Sequence, residues 1–430
     1  MAEIDRAPRR GWRGRVAFAR DGRRVAFAPG SALIPADRVD EVLPRRWRRD
    51  SERSVEGYVP VRLSDIPRLG DDPDAAEEAA AETLDLVDDL RTRGIAAQPD
   101  HILFADHDPE CGEGGEMSGN PFSANPFSAN PFSANGWPPE PVESSGERPS
   151  LALPADPLPL PAPTTPGADS PVVLVLDTGL PEANDRPPFI QHATSTTAHD
   201  TKDVDDDQRL DPAAGHGAFI AGIISRIAPH TRVIVEQVLT SFGDGKESVV
   251  ADVLSSYAGN VDLVNLSFGT YTPFCPRPLA RAVRAVQKGI VRDENSEEVD
   301  VRPAVVVASA GNDATWAPAF PARLPGVVSV AALDRWGPAA FSNYGPWVRA
   351  CAPGTDVVST FFLSAKTDAG APFRGWASWS GTSFAAPHVV GALARRMVHD
   401  GITARQAVRR VIDAPGLMRI PAHGTVVNVS

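Results

Sequence analysis

From residue 172 onward, short apolar runs alternate with amphipathic stretches. Residues 172–176 (VVLVL), 232–238, 261–266 (VDLVNL), 304–308 (AVVVA) and 327–331 are mostly apolar and β-branched, and helical candidates at 218–227 and 278–288 fall between several of them. Continuous apolar strands separated by helices predict an α/β body with a parallel sheet covered on both faces. The first 110 residues are patterned differently. Two copies of RVAFA, at 15–19 and 24–28, alternate in polarity and flank Asp21 and Gly22, a hairpin signal. Residues 59–63 and 102–105 read as further strands. Between them, Ala76, Ala80, Leu84, Val87 and Leu90 recur at helical spacing, which predicts a helix over 73–93 with Gly94 at its exit. The result is a small α+β unit.

Residues 111–171 carry neither pattern. They contain three consecutive NPFSA units (120–134), and eleven prolines lie between 138 and 171. Such a stretch buries too little apolar surface to offset its ordering entropy, so it reads as a disordered tether. The evenly spaced phenylalanines allow a second reading, a docking motif for a partner. Three regions follow: 1–110, a linker 111–171, and a body 172–430.

Charge narrows the function classes. The net charge is −13, which argues against a whole-chain nucleic-acid binder. Residues 1–54 hold 14 Arg against 8 acids, and 55–110 hold 4 Arg against 15. Mutual attraction between two halves of one unit, or a solvated surface, fits this split better than a nucleic-acid arm, because the arginines alternate with apolar strand residues. No window approaches 18 consecutive apolar residues, so no membrane span is expected. The basic N-terminus lacks the apolar core of a secretory signal, which makes the cytoplasm the default location, with export by an unrecognised route left open. Three cysteines (Cys111, Cys275, Cys351) form neither a disulfide framework nor a metal-type spacing.

The chemistry concentrates in four segments. Asp177 follows VVLVL, at the carboxyl end of a buried strand, where open α/β sheets place their sites. His216 lies in GHGAFIAG at a helix start, with glycines on both sides that would let a substrate or partner approach. Ser383 lies in GTSFAAPH, also opening a helix, where Gly381 would permit a tight entry turn. Asn312 ends VVVASAGN, in a small-residue turn after a strand. Alone, each has a plain reading: strand-end carboxylate, packed histidine, N-cap, turn residue. Together they supply a serine nucleophile, an imidazole to take its proton, and a carboxylate to fix the imidazole. The Asn312 amide and the Ser383 N–H would serve as oxyanion donors.

These segments, in this order across residues 172–395, resemble the subtilisin-like serine protease (subtilase) family. The resemblance implies a doubly wound, mostly parallel seven-stranded sheet and endopeptidase action on protein or peptide substrates through a Ser383 acyl-enzyme. It implies that Ser267, Phe268 and Gly269 form one wall of the substrate cleft and pair with the substrate backbone. Ala308, Ser309, Ala310 and Gly311 would form the opposite wall. No cofactor is required and no catalytic metal is expected. The acidic run 203–207 is either a solvated loop or a structural calcium site with unassigned ligands, since it lacks a fixed ligand spacing. Ala218 and Phe219 depart from the polar residues usual after the histidine and would alter packing behind the imidazole. Cys351 and His388 read as packing residues. Residues 12–107 could be a propeptide that inhibits the enzyme until cleavage within 111–171, or a permanent recognition domain. Two other functions stay open: a catalytically silent binding module, and a peptide-maturation or transfer enzyme.

Overall fold

The computed structural model describes residues 3–5, 17–20, 24–51, 54–64, 73–105, 140–141, 166–272, 275–292, 298–366, 370 and 372–429. The Asp21-Gly22 turn, Cys111 and the NPFSA repeats lie outside the described residues. By contact density the chain forms two units. One comprises Met1–Leu103, Asp244–Ala258 and Thr270–Val301. The other comprises Phe104–Gly243, Gly259–Gly269 and Arg302–Ser430.

The first unit is built on an antiparallel sheet. The RVAFA repeats pair as Ala17–Arg20 against Arg24–Pro35, which in turn pairs with Tyr58–Leu63 and Gln98–Phe104. The strand Arg24–Pro35 is longer than its pattern suggests, because Pro29-Gly30 forms a bulge instead of a turn. Register shifts between Phe27 and Ala32, and Gly30 takes φ +67°. Thr83 accepts the Gly30 N–H at 2.9 Å, tying the bulge to the helix Pro73–Thr92. That helix buries Ala79, Leu86, Val87 and Leu90 with Ala32, Ile34, Val59 and Val61 of the sheet. Gly94 leaves it at φ +77°. The unit also holds the helices Glu247–Ser256 and Arg277–Lys288. Asp100 accepts the Ser248 N–H at 3.0 Å and so caps an orphan donor of the first turn. His101 Nδ1 and Gln98 Nε2 both reach Glu247 Oε2, at 2.7 and 2.8 Å, fully buried.

The second unit holds a sheet ordered Arg419–Ile420, Gly424–Val426, Ala350–Pro353, Val328–Leu333, Val305–Ser309, Leu263–Leu266, Val172–Asp177, Arg232–Gln237. Seven of these strands are parallel, from Gly424–Val426 through Arg232–Gln237. An eighth, Arg419–Ile420, joins the edge antiparallel. The expected seven-stranded sheet is thus extended by one strand of two residues, too short to leave a pattern. Chain order reverses at Val172–Asp177, whose neighbours are the second and third strands in sequence. Asp177 and Ser267 therefore end adjacent strands at the topological switch point, where such sheets form their crevice.

The helices His216–Ile227 and Thr382–Asp400 pack with the sheet in one large apolar core. Close approach needs small residues at the contacts. A Cβ on Gly222 would come within 2.3 Å of Thr360 Oγ1 and 2.4 Å of Ser359 Oγ, and one on Gly391 within 2.8 Å of Ile227. Of the expected linker, Glu140–Pro141 forms a short strand against Trp376–Trp379. Among the described residues no helix is long and apolar enough to cross a membrane.

Two outcomes follow. Gly222→Ala overfills a closed contact and should cost about 1–3 kcal/mol, read as a lower urea midpoint. An unchanged midpoint would mean the contact can relax. The second concerns Asp211, which accepts from Val204 N and Ser241 Oγ in the loop before His216. Burial, reinforced by Asp205 and Asp203, pushes its carboxyl from 3.8 up to about 6. A folded-state pKa raised above the unfolded one favours folding fully below about pH 4, and the benefit fades as pH rises through about 6. Asp211→Asn should therefore gain stability over wild type at pH 8 in EDTA and lose that gain at pH 4. A gain independent of pH would contradict this.

Candidate active site

Each element of the site delivers its side chain from a backbone end. Val172–Asp177 is buried on both faces, so Asp177 emerges at its carboxyl end fully enclosed, at 0% exposure. Gly215 precedes the next helix in the left-handed region, φ +83°, which turns the chain into His216. His216 Nδ1 lies 2.8 Å from Asp177 Oδ1, and the same oxygen accepts the Thr178 N–H at 2.8 Å. A carboxylate only accepts, so Nδ1 carries the proton and Nε2 is the basic nitrogen. Trp379 meets the imidazole edge-on at 5.4 Å and Phe384 lies at 5.2 Å. Phe219 meets Trp379 edge-on at 5.8 Å and lies tilted against Phe384 at 4.6 Å, and Thr360 Oγ1 donates to the Ala218 carbonyl. The two unusual residues after His216 thus belong to the apolar wall behind it.

The flanking glycines serve packing, which corrects the expectation that they open an approach. A Cβ at Gly215 would enter the Phe361 ring at 2.3 Å, and one at Gly217 would strike the Gly179 carbonyl at 2.4 Å. Gly381 is likewise extended, φ 160°, and makes no tight turn before Thr382.

Ser383 is 2% exposed in the first turn of its helix. Its hydroxyl has two acceptors, the Ala105 carbonyl at 3.0 Å and the Ser267 carbonyl at 3.2 Å. Ser267 Oγ donates back to the Ser383 carbonyl at 2.7 Å and is held by Asn265 Nδ2 at 2.9 Å. The strand end 265–269 is therefore locked to the helix that carries Ser383. Phe268 is buried beside it.

Asn312 Oδ1 accepts from Thr382 N and Thr382 Oγ1, at 2.8 and 2.9 Å, and Thr382 Oγ1 accepts the Gly311 N–H at 3.0 Å. This fixes the amide's orientation, with Nδ2 at the opposite end. Ala308, Ser309 and Ala310 are buried below, and Asn343 Nδ2 holds the Ala310 carbonyl at 2.8 Å.

A segment of the same chain crosses the site. Phe104 and Gly269 exchange both backbone hydrogen bonds, N to O at 2.9 and 2.8 Å, as an antiparallel bridge. The Ala105 N–H donates to the Gly243 carbonyl at 2.8 Å, and the Ala105 carbonyl receives Ser383. Sequence reasoning saw a strand at 102–105 but had no signal linking it to Ser383. It also missed Thr178 and Asp200, whose partners are distant in sequence.

The remaining candidates have plain surroundings. His388 Nδ1 donates to the Phe384 carbonyl at 2.7 Å, and burial drives its pKa down to about 3, so it stays neutral. Burial pushes the Cys351 thiol up to about 12, and it packs with Ala331 and Val348. Carboxylate oxygens of Asp203, Asp205 and Asp211 lie within 4.8 Å of one another. Only two of the three belong to the 203–207 run.

Comparison with known proteins follows the same residues. The Subtilase family model matches residues 168–414. The thermophilic serine proteinase of Bacillus sp. (strain AK1) is 33% identical over 225 residues, 49% of this chain and 50% of its own. Subtilisin Savinase of Lederbergia lenta is 33% identical over 192 residues, 42% of this chain and 62% of its own. The chain spans about half the length of the first of these relatives. A solved cold adapted subtilisin-like serine proteinase matches with a TM-score of 0.46 and 24% identity, over 60% of this chain and 88% of that one. With the family match covering more than half of its 430 residues, from the strand that ends in Asp177 through the helix that opens on Ser383, this chain belongs to the Subtilase family.

Proposed function

We propose that this protein is a serine endopeptidase acting through Ser383, His216 and Asp177, and that the chain up to residue 105 is a propeptide whose last residues, 104–105, occupy the cleft. The observation that carries this reading is the approach of Ser383 Oγ to the Ala105 carbonyl, 3.0 Å, on a strand paired with Gly269. A peptide carbonyl lies against the hydroxyl that would attack it, on a backbone ladder that any extended substrate can make.

The chemistry follows from the donors available. Ser383 Oγ bonds to a peptide carbonyl carbon while its proton passes to His216 Nε2. Asp177 remains ionised and stabilises the imidazolium through Nδ1–H. The carbonyl oxygen becomes an oxyanion, stabilised by Asn312 Nδ2 and the Ser383 N–H. His216 returns the proton to the departing amine as the C–N bond breaks. Water then repeats the sequence on the acyl-enzyme and releases the carboxylic acid. No step uses a cofactor or metal.

The same geometry supports one site of self-cleavage. The carbonyl within reach belongs to Ala105, so the first cut is proposed between Ala105 and Asp106, upstream of the 111–171 linker. A structural calcium is proposed at Asp203, Asp205 and Asp211, since clustered carboxylates are hard oxygen donors. Calcium should raise the Tm of the wild type and not that of Asp203→Asn, with kcat unchanged.

Intact mass tests the propeptide reading. Wild type should lose a fragment ending at Ala105, and Ser383→Ala should stay full length. A wild type that remains intact while digesting casein would contradict it. Asn312→Ala in the processed enzyme should lower kcat by about 10²–10³ with KM little changed. A loss confined to KM would remove Asn312 from the oxyanion site.

A further inference from the structure

Asp200 is a second carboxylate enclosed beside the Asp177–His216 pair, and the reaction sequence above gives it no part. It lies in the loop between the strand Val172–Asp177 and the helix His216–Ile227, only 4% exposed. Its backbone is pinned where Asp200 N donates to the Leu180 carbonyl at 2.9 Å. Its Oδ2 accepts twice, from Thr178 Oγ1 at 2.8 Å and from Gly215 N at 2.8 Å. Thr178 Oγ1 in turn accepts the Gly217 N–H at 3.1 Å.

These bonds converge on the neighbours of the two residues that must stay in register. Thr178 directly follows Asp177. Gly215 and Gly217 directly precede and follow His216. One carboxylate oxygen thus ties the strand end to both sides of the histidine. The tie answers a local need, because Gly215 sits in the left-handed region at the start of the helix and has no side chain to cap the first turn. A glycine on each side of His216 gives that backbone unusual freedom, and the Oδ2 bonds remove it.

We propose that Asp200 is a positioning residue of the triad, its Oδ2 holding Asp177 and His216 in register through Thr178 and Gly215. The assignment rests on the protease reading above. It acts as a hydrogen-bond acceptor. Burial raises its pKa well above the ordinary range, the Asp177 charge adds to this, and the Thr178 and Gly215 hydrogen bonds and the nearby His216 charge oppose it. Among the described residues Oδ1 is buried with no hydrogen-bond partner, and Oδ2 makes the contacts. An asparagine keeps that acceptor, and an alanine does not.

The test compares Asp200→Ala, Asp200→Asn and Thr178→Val with wild type, all as the self-cleaved enzyme. Steady-state kinetics use one peptide substrate across pH, and active sites are titrated with a burst reagent. Asp200→Ala should lower kcat per titrated site by about 10–100-fold, the scale of a misplaced catalytic group, with KM within about threefold. Asp200→Asn should recover kcat to within about fivefold of wild type, with the acid limb of its pH profile unmoved. Thr178→Val keeps the backbone contact to Asp177 but cuts the link to Gly217, and it should lower kcat without raising KM. It carries the test if Asp200→Ala does not fold.

A wild-type kcat per site in Asp200→Ala, or in Thr178→Val when Asp200→Ala does not fold, would overturn the assignment and leave Asp200 a stabilising residue only. An acid limb shifted by half a unit or more in Asp200→Asn would also overturn it, since the group would then act by charge. Wild type without any burst would sink the protease reading itself.

Discussion

The contact between Asp177 Oδ1 and His216 Nδ1 constrains everything around it. Both side chains are fully buried, and an ionised carboxylate taken from water costs several kcal/mol unless it is paired and hydrogen-bonded. Asp177 meets this cost with the His216 N–H and the Thr178 N–H. For that pair to form, a buried strand must end at the switch point of the sheet, and a helix must begin on the histidine. The loop between them must also return within hydrogen-bonding distance. The left-handed Gly215 and the excluded Cβ positions at Gly215 and Gly217 are consequences of that demand.

A similar economy governs the cleft. Ser267 uses its hydroxyl to grip the Ser383 carbonyl, while its own carbonyl accepts the Ser383 hydroxyl. Two residues further on, Gly269 offers its backbone to the incoming strand of Phe104. One strand end therefore anchors Ser383 and pairs with the extended segment at Phe104. Thr382 has the matching role on the other side, where it fixes the Asn312 amide and the Gly311 turn together.

The sheet strands and the segments around Asp177, His216, Asn312 and Ser383 were legible because each is local. A continuous apolar run ends in a polar residue, and a glycine-rich turn opens a helix. The helix Pro73–Thr92 was legible for the same reason, from its periodic apolar face. Contacts that join distant segments were not. Asp200 meets Thr178 across 22 residues, and Ala105 meets Ser383 across 278. Nothing in either local sequence signals its partner. The glycines beside His216 read as an opening, although both fill contacts too close for a Cβ.

Covalent labelling tests the account most directly. A fluorophosphonate probe reacts with a serine only when a neighbouring base has activated it. Peptide mapping of the labelled, self-cleaved wild type should place the probe on Ser383, and His216→Ala should remain unlabelled. Label on another residue, or equal labelling of His216→Ala, would contradict the account.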